Sequence, residues 1–426
     1  MDKSLELWTE AKELFPGGVN SPVRAALKPY PFYVNRAKDA FIYSVDGARF
    51  IDYVLGYGPL ILGHRDDRVM EKIVEQLRNG WLYGTPSPIE VELAKMILKH
   101  MYPGGKIRFV NSGTEATLTA IRLARGYTNR KYIIKFEGCY HGSNDYLLVS
   151  SGSAVEHCSV PLSKGILEDV AKYTLVAKFN DSNSVSKIMR EYGEKVAAII
   201  VEPVMGNLGV IPANYDFLRF LREVSDDYGS VLIFDEVITG FRLGLTGASG
   251  FYGVIPDLIT LGKIIGGGFP VGAVLGKREI MDNLTPSGKV FNAGTFNAHP
   301  VTMAAGYATL EILESGEYRL ASKATETITS VLGDLLSDKG ITYTINRAES
   351  MFQVFFNVDE VRNADDARRS DSVMFDHFQR GLLKRGVFIS PSRLEAIFTS
   401  TKHVSEVLEE SIEALKDSVS ELEGST

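Results

Sequence analysis

The stretch VLIFDEVITGFR, residues 231–242, opens with four apolar residues in a row and then sets two carboxylates, Asp235 and Glu236, side by side. A strand with one wet face alternates apolar and polar residues. A run that is apolar at every position is instead buried on both faces, as in parallel sheets covered by helices on either side. The same kind of run recurs as KIRFVN (106–111), KYIIKF (131–136), VAAIIVEP (196–203) and DLITLG (257–262). Helical patterns, RVMEKIVEQL (68–77) and IEVELAKMILKHM (89–101), precede these runs in the same region. The expected fold is α/β, with a large domain over 66–300 built on a mostly parallel central sheet.

Outside that region the pattern changes. Residues 2–15 read as a short amphipathic helix stopped by Pro16-Gly17-Gly18, and AFIYSVDG and RFIDYV follow as strand-like runs, making 1–65 a segment and not a domain. After residue 300 a helical stretch, PVTMAAGYATLEILE, leads to strand candidates MFQVFFNV and GVFISP and a closing helix, EVLEESIEALKDSVSEL. This predicts a smaller α/β domain over 301–426, completed by the N-terminal segment. Two cores suit 426 residues, because single cores stop growing at roughly 250–300 residues.

Composition narrows the class. With 45% apolar and 23% charged residues the chain is an ordinary globular protein. A net charge of -7, with 46 scattered basic residues, gives no reason to expect nucleic acid or an anionic membrane as partner. Two cysteines, Cys139 and Cys158, are too few for a disulfide framework or a closed zinc site. No stretch has the length of a signal peptide's apolar region or of a membrane span, so a cytoplasmic protein is expected.

Ligands gather at the carboxyl ends of parallel strands, and three of the runs end in distinctive chemistry. In FVNSGTEATLTAIRLARG (109–126) a strand gives way to Ser112-Gly113-Thr114 at the start of a helix, where free N–H groups suit a phosphate. Ser112 or Thr114 as a plain helix cap, with Glu115 favouring the same end, explains those residues equally well. Asp235 stands at a buried strand end, where a carboxylate is costly unless a cation or donor meets it; a protonated pyridine nitrogen would serve. In PDLITLGKIIGGGFPVGAVLG (256–276) Lys263 stands between an apolar strand and three glycines, and burial there depresses an amine toward its nucleophilic form. A phosphate cradle, an acid and a poised lysine are together the parts that pyridoxal phosphate requires: anchor, partner for the electron sink, and Schiff base. Tyr140, just past another apolar run, could stack on the ring.

On these and further motifs the chain resembles the glutamate-1-semialdehyde 2,1-aminomutase family, within the class III aminotransferases of fold type I. The motifs are LFPGGVNSPVR (14–24), VNSGTEA (110–116), KFEGCYHG (135–142), VEPVMGNLGV (201–210), IFDEVITGFR (233–242), LGKIIGGGFPVGA (261–273) and PSRLEAIFTS (391–400). The resemblance implies that Ser112, Gly113 and Thr114 hold the cofactor phosphate, that Tyr140 and Val237 flank the ring, and that Asn207 bonds the ring hydroxyl. It pairs Asp235 with the ring nitrogen and makes Lys263 the Schiff-base residue and proton shuttle. It implies that Thr295 reaches the phosphate of a neighbouring subunit in a homodimer, that Arg24 with Ser21 binds the substrate carboxylate, and that Glu395 is an acid near the site. The implied reaction converts glutamate 1-semialdehyde to 5-aminolevulinate, a tetrapyrrole precursor, with pyridoxal or pyridoxamine phosphate as cofactor. A lid is expected over SGSAVEHCSVPLSKG (151–165). Phe291 replaces a tyrosine expected from the family, and FNAHP (296–300) replaces the commoner LSGNP. The nearest alternative is an aminotransferase acting on a β-amino acid or amine with an oxo-acid acceptor.

Overall fold

A computed structural model describes residues 2–151 and 159–422 of the chain. Its largest sheet has seven strands, in the spatial order Lys106–Val110, Gly272–Gly276, Leu258–Gly262, Val231–Asp235, Val196–Val201, Tyr132–Phe136 and Thr174–Ala177. All run parallel except Gly272–Gly276, which is antiparallel to both of its neighbours. The mostly parallel sheet expected from the apolar runs is present. Two of its strands, Thr174–Ala177 and Gly272–Gly276, were not among the runs that predicted it. Glycine opens the second of these for a physical reason: a Cβ at Gly272 would lie 2.1 Å from the carbonyl oxygen of Ser112.

Both faces of the sheet are dry. On one face Ile134, Ile199 and Phe234 pack against Ile188, Phe217 and Leu221 of the helices Ser182–Tyr192 and Tyr215–Tyr228. On the other, Ile133, Ile200 and Ile233 pack against Ala116, Ala120 and Ala124 of the helix Gly113–Thr128. The alanines let that helix lie close to the strands. This helix starts at the N-cap Ser112, whose hydroxyl accepts from the Glu115 amide at 3.2 Å, while the Glu115 carboxylate reaches back to the amide of Asn111 at 2.7 Å. Both bonds fix the start of the helix where the Lys106–Val110 strand ends.

The N-terminal strands Val34–Lys38, Phe41–Ser44 and Arg49–Asp52 are joined by the C-terminal strand Val387–Phe388, parallel to Arg49–Asp52, so the two ends of the chain share one sheet. A three-stranded antiparallel sheet of Tyr343–Ala348, Met351–Phe356 and Ile397–Phe398 shares a separate core with the helices Tyr318–Asp338, Ser372–Lys384 and Glu406–Ser420. The helix Pro300–Glu314 contributes Met303, Ala305 and Leu310 to the core that holds Ile259, Leu261 and Leu275 of the large sheet. The chain after residue 300 thus continues in the core of the large sheet, which also takes in Tyr318 and Ala321. Among the described residues, no helix is long and apolar enough to cross a membrane. Cys139 is buried and free, and Cys158 lies outside the described residues.

Candidate active site

Parallel strands deliver their last residues to the same edge, and eight of the residues named from the sequence meet there. Ser112, Gly113, Thr114, Tyr140, Asn207, Asp235, Val237 and Lys263 all line one cavity of about 440 Å³. Asp235 closes its strand, and its carboxylate is 4% exposed. One oxygen, Oδ2, is 2.7 Å from Nδ1 of His141; the other accepts from the Thr260 hydroxyl at 3.0 Å and the Val237 amide at 3.2 Å. Burial lowers the pKa of His141, against the pull of Asp235, and a neutral ring with its proton on Nδ1 donates to the carboxylate. Its Nε2 is buried without a hydrogen-bond partner among the described residues.

Glu236, the next residue, points away. Its oxygens accept from the amides of Ala248 at 2.6 Å and Ser249 at 3.0 Å, and from the Thr239 hydroxyl at 3.0 Å, capping the helix Gly247–Tyr252. Of the two adjacent acids, only Asp235 belongs to the cavity.

Lys263 follows directly on the strand Leu258–Gly262 and holds a left-handed φ of 47°, a conformation that a lysine adopts only when its surroundings over-determine it. Its Nζ donates to the carbonyl of Tyr57 at 2.9 Å. Burial holds the amine below the usual lysine range and the nearby Arg242 guanidinium pushes the same way, while Glu395, Glu202 and Asp235 oppose them.

At the start of the helix Gly113–Thr128 the Ser112 hydroxyl serves as the cap, so the cap reading and the anion reading divide the residues between them. The first-turn amides of Gly113 and Thr114 remain directed out of the helix. A Cβ at Gly113 would lie 3.1 Å from Val237, so the glycine keeps the entrance to those amides narrow but open. The Thr114 hydroxyl accepts from the Ser143 amide at 3.2 Å and ties the Tyr140–Gly142 turn to the helix. Tyr140 is 49% exposed on the cavity wall.

The remaining expected residues stand apart from this cavity. Glu395 is half-buried nearby; burial pushes its pKa up to about 7, and only the positive charge of Lys263 draws it back. Arg24 is exposed, close enough for its charge to act on the Tyr57 hydroxyl, and Ser21 precedes it at the start of the turn Pro22–Ala25. Thr295 is exposed and lines a second cavity of about 750 Å³ together with Tyr83, Glu90 and Arg108. The expected lid centres on residues outside those described; on either side of them Val149–Ser151 and Ser159–Pro161 pair antiparallel.

Sequence reasoning passed over His141 and Glu202, which also line the cavity. Glu202 accepts from the amides of Tyr140 at 2.8 Å and Gly206 at 3.3 Å, and burial, with Asp235 beside it, pushes its pKa up to about 8. The signal was available in part: each directly follows a motif residue or an apolar run at the same sheet edge.

The model of the family described as "Aminotransferase class-III" matches residues 23–416. The chain belongs to the class-III aminotransferases. A glutamate-1-semialdehyde 2,1-aminomutase of Hyperthermus butylicus is 59% identical over 414 residues, covering 97% of both chains. One from Sulfurisphaera tokodaii is also 59% identical, covering 98% of this chain and all of the relative. Among solved structures, a transaminase with PLP bound superposes with a TM-score of 0.89 at 31% identity, covering 98% of this chain and 97% of that one. The class-III family model thus spans most of the described chain, and identity is far higher to the named aminomutases than to that transaminase.

The residues present fit the family's cofactor. A carboxylate held by His141 and Thr260 suits a protonated ring nitrogen, open helix-start amides suit a phosphate, and Lys263 lines the same cavity.

Proposed function

We propose that the protein is a pyridoxal/pyridoxamine phosphate-dependent aminomutase that converts glutamate 1-semialdehyde to 5-aminolevulinate in tetrapyrrole synthesis. The reading is carried by the convergence of Lys263, Asp235 and the start of the helix Gly113–Thr128 on one cavity, in a chain 59% identical to proteins of that name. Bound there, the cofactor supplies a carrier for the amino group and a sink for charge developing at a substrate carbon.

The chain's own residues do the rest. The amides of Gly113 and Thr114 and the hydroxyl of Thr114 hold the phosphate. Asp235 would keep a proton on the ring nitrogen, and His141 and Thr260 hold the Asp235 carboxylate in place. Tyr140 and Val237 bracket the ring, and Asn207 meets its hydroxyl. Lys263, its amine held below the usual lysine range by burial, takes a proton from one substrate carbon and returns it elsewhere on the same molecule. Arg24, with Ser21, receives the substrate carboxylate, for which a guanidinium fork is suited. Glu395, with a pKa near that of the medium, exchanges protons with Lys263 as the amine changes state. We place the protein in the cytoplasm as a homodimer in which Thr295 of each subunit completes the phosphate site of the other.

An assay for 5-aminolevulinate from glutamate 1-semialdehyde, with and without an oxo-acid, tests the reaction. Product is expected without any acceptor. Strict dependence on an acceptor would mark an ordinary aminotransferase of the same family and overturn the reading.

A further inference from the structure

Arg242 is the bulkiest of the fully buried side chains, at 1% exposure, and among the described residues no carboxylate pairs with it. A buried guanidinium without a counter-ion is expensive, so its surroundings bear on what it is for. One arm donates to the Ser350 hydroxyl at 2.9 Å; the other donates to the carbonyl of Gly58, and the guanidinium lies over the Phe398 ring, 4.7 Å from its centre. Its Nε has no hydrogen-bond partner among the described residues.

The carbonyl it holds belongs to an unusual turn. Leu55, Gly56, Tyr57 and Gly58 have φ of 48°, 64°, 66° and 110°, four left-handed residues in succession, two of them not glycine. Such a run stands only where contacts enforce it. Asp52 fixes its beginning, accepting from the amides of Val54 at 2.8 Å and Leu55 at 3.1 Å. Arg242 fixes its end. Between these two anchors the Tyr57 carbonyl is presented to the Lys263 amine at 2.9 Å, and the next residue, Pro59, forms part of the cavity wall.

We propose that Arg242 is a positioning residue for Lys263: its fork locks the turn that offers the Tyr57 carbonyl as a resting acceptor for the free amine, and its uncompensated charge disfavours a second cation there. The inference rests on Lys263 as the reactive amine of the proposed function. When the amine is released from covalent work it needs a defined place close to the reacting carbon, and a carbonyl provides one without neutralising it. The charged groups that act on the amine are Arg242 on one side and Glu395, Glu202 and Asp235 on the other, so Arg242 is the cation that opposes their pull on the amine.

The test reads the amine itself and not turnover. Full-length protein is loaded with pyridoxamine phosphate, which leaves the lysine amine free, and Lys263 is labelled with acetic anhydride across pH and quantified by mass spectrometry. Amide hydrogen exchange over residues 54–60 reports the turn. Arg242→Met is expected to move the labelling midpoint up by about one pH unit, roughly tenfold less labelling on its acid side. Arg242→Lys keeps the charge and is expected to leave the midpoint near that of the wild type, yet to speed exchange in the turn because the fork is gone. Arg242→Gln is a second neutral variant that retains a donor for Gly58, and it replaces Arg242→Met if that protein does not fold. An unchanged midpoint in the neutral variants, an equal rise in Arg242→Lys, or an unchanged turn in Arg242→Lys overturns the proposal. Because labelling needs no substrate, such a failure is distinguishable from failure of the aminomutase assay.

Discussion

At the scale of single residues, two adjacent acids show how one strand end divides its labour. Side chains alternate across a strand, so Asp235 and Glu236 had to face opposite ways, but which of them faced the ligand edge depends on where the strand stops. In the proposed function the work of Asp235 is electrostatic and that of Lys263 is proton transfer, and the two separate experimentally. Lys263→Ala is expected to lower kcat by about 10²–10⁴-fold or more, as loss of a positioned acid–base group does, and to abolish the shift in visible absorbance on adding pyridoxal phosphate. Retention of that shift would show that another lysine carries the bond. Glu202 adds a pH dependence. Its folded pKa, about 8, lies above the ordinary carboxyl value, so its contribution to stability is complete at low pH and is lost as pH rises through about 8. Burial of His141 acts in the opposite sense, since its lowered pKa favours the folded state only as pH rises, so the quantity to follow is a difference. The advantage in melting temperature of the wild type over Glu202→Gln is expected to shrink between pH 6 and pH 9, and a constant advantage would contradict the raised pKa.

At the scale of elements, Glu236 holds the helix Gly247–Tyr252 to the end of the Val231–Asp235 strand through the amides of Ala248 and Ser249, while the Thr239 hydroxyl donates to the same carboxylate. Glu236→Gln replaces one acceptor oxygen with a donor facing an N–H, and a buried unsatisfied amide costs about 1–3 kcal/mol. Denaturant unfolding is expected to show a loss of that order while the cofactor absorbance of the folded protein is unchanged; a loss of cofactor binding instead would assign Glu236 to the site. The strands around this pair were legible because burial on both faces writes itself as an unbroken apolar run, as in Val196–Val201 and Val231–Asp235. Gly272–Gly276 was not, because two of its five residues are glycines chosen for close approach and not for strand propensity. The helix Pro300–Glu314 was legible as a helix, but its place in the large core was not, since core membership is decided by tertiary contacts that no local period records. Site residues followed the same division. Those at the ends of apolar runs could be read directly, whereas His141 acts through a contact 94 positions away in sequence, and Arg242 acts through a turn near the N-terminus.

At the scale of the whole molecule, Thr295 is the expected phosphate ligand that stands apart from the Lys263 cavity within one subunit. Thr295 lies on an exposed segment that carries Phe291 at 65% and Phe296 at 56% exposure, and it lines a cavity with Tyr83 instead of the one that holds Lys263. Nearby in sequence to Tyr83, Trp81 and Leu82 are also exposed, at 63% and 41%. Exposed apolar side chains on the segments that line this cavity suit a symmetric interface with a second copy, and a homodimer would bury them while carrying each Thr295 to the other subunit's phosphate site. Mixing two defective proteins distinguishes a shared site from a self-contained one. Lys263→Ala lacks the lysine, and Thr295→Asp sets a negative charge where a phosphate would lie; each alone is expected to be nearly inactive. If Thr295 serves the partner, a mixed dimer has one site with both lesions and one with neither. Random exchange of subunits makes half of the dimers mixed, so activity is expected to recover to about a quarter of wild type. If Thr295 serves its own subunit, every site in the mixture keeps a lesion and nothing is recovered, and the same mixture run without subunit exchange supplies the baseline against which recovery is judged.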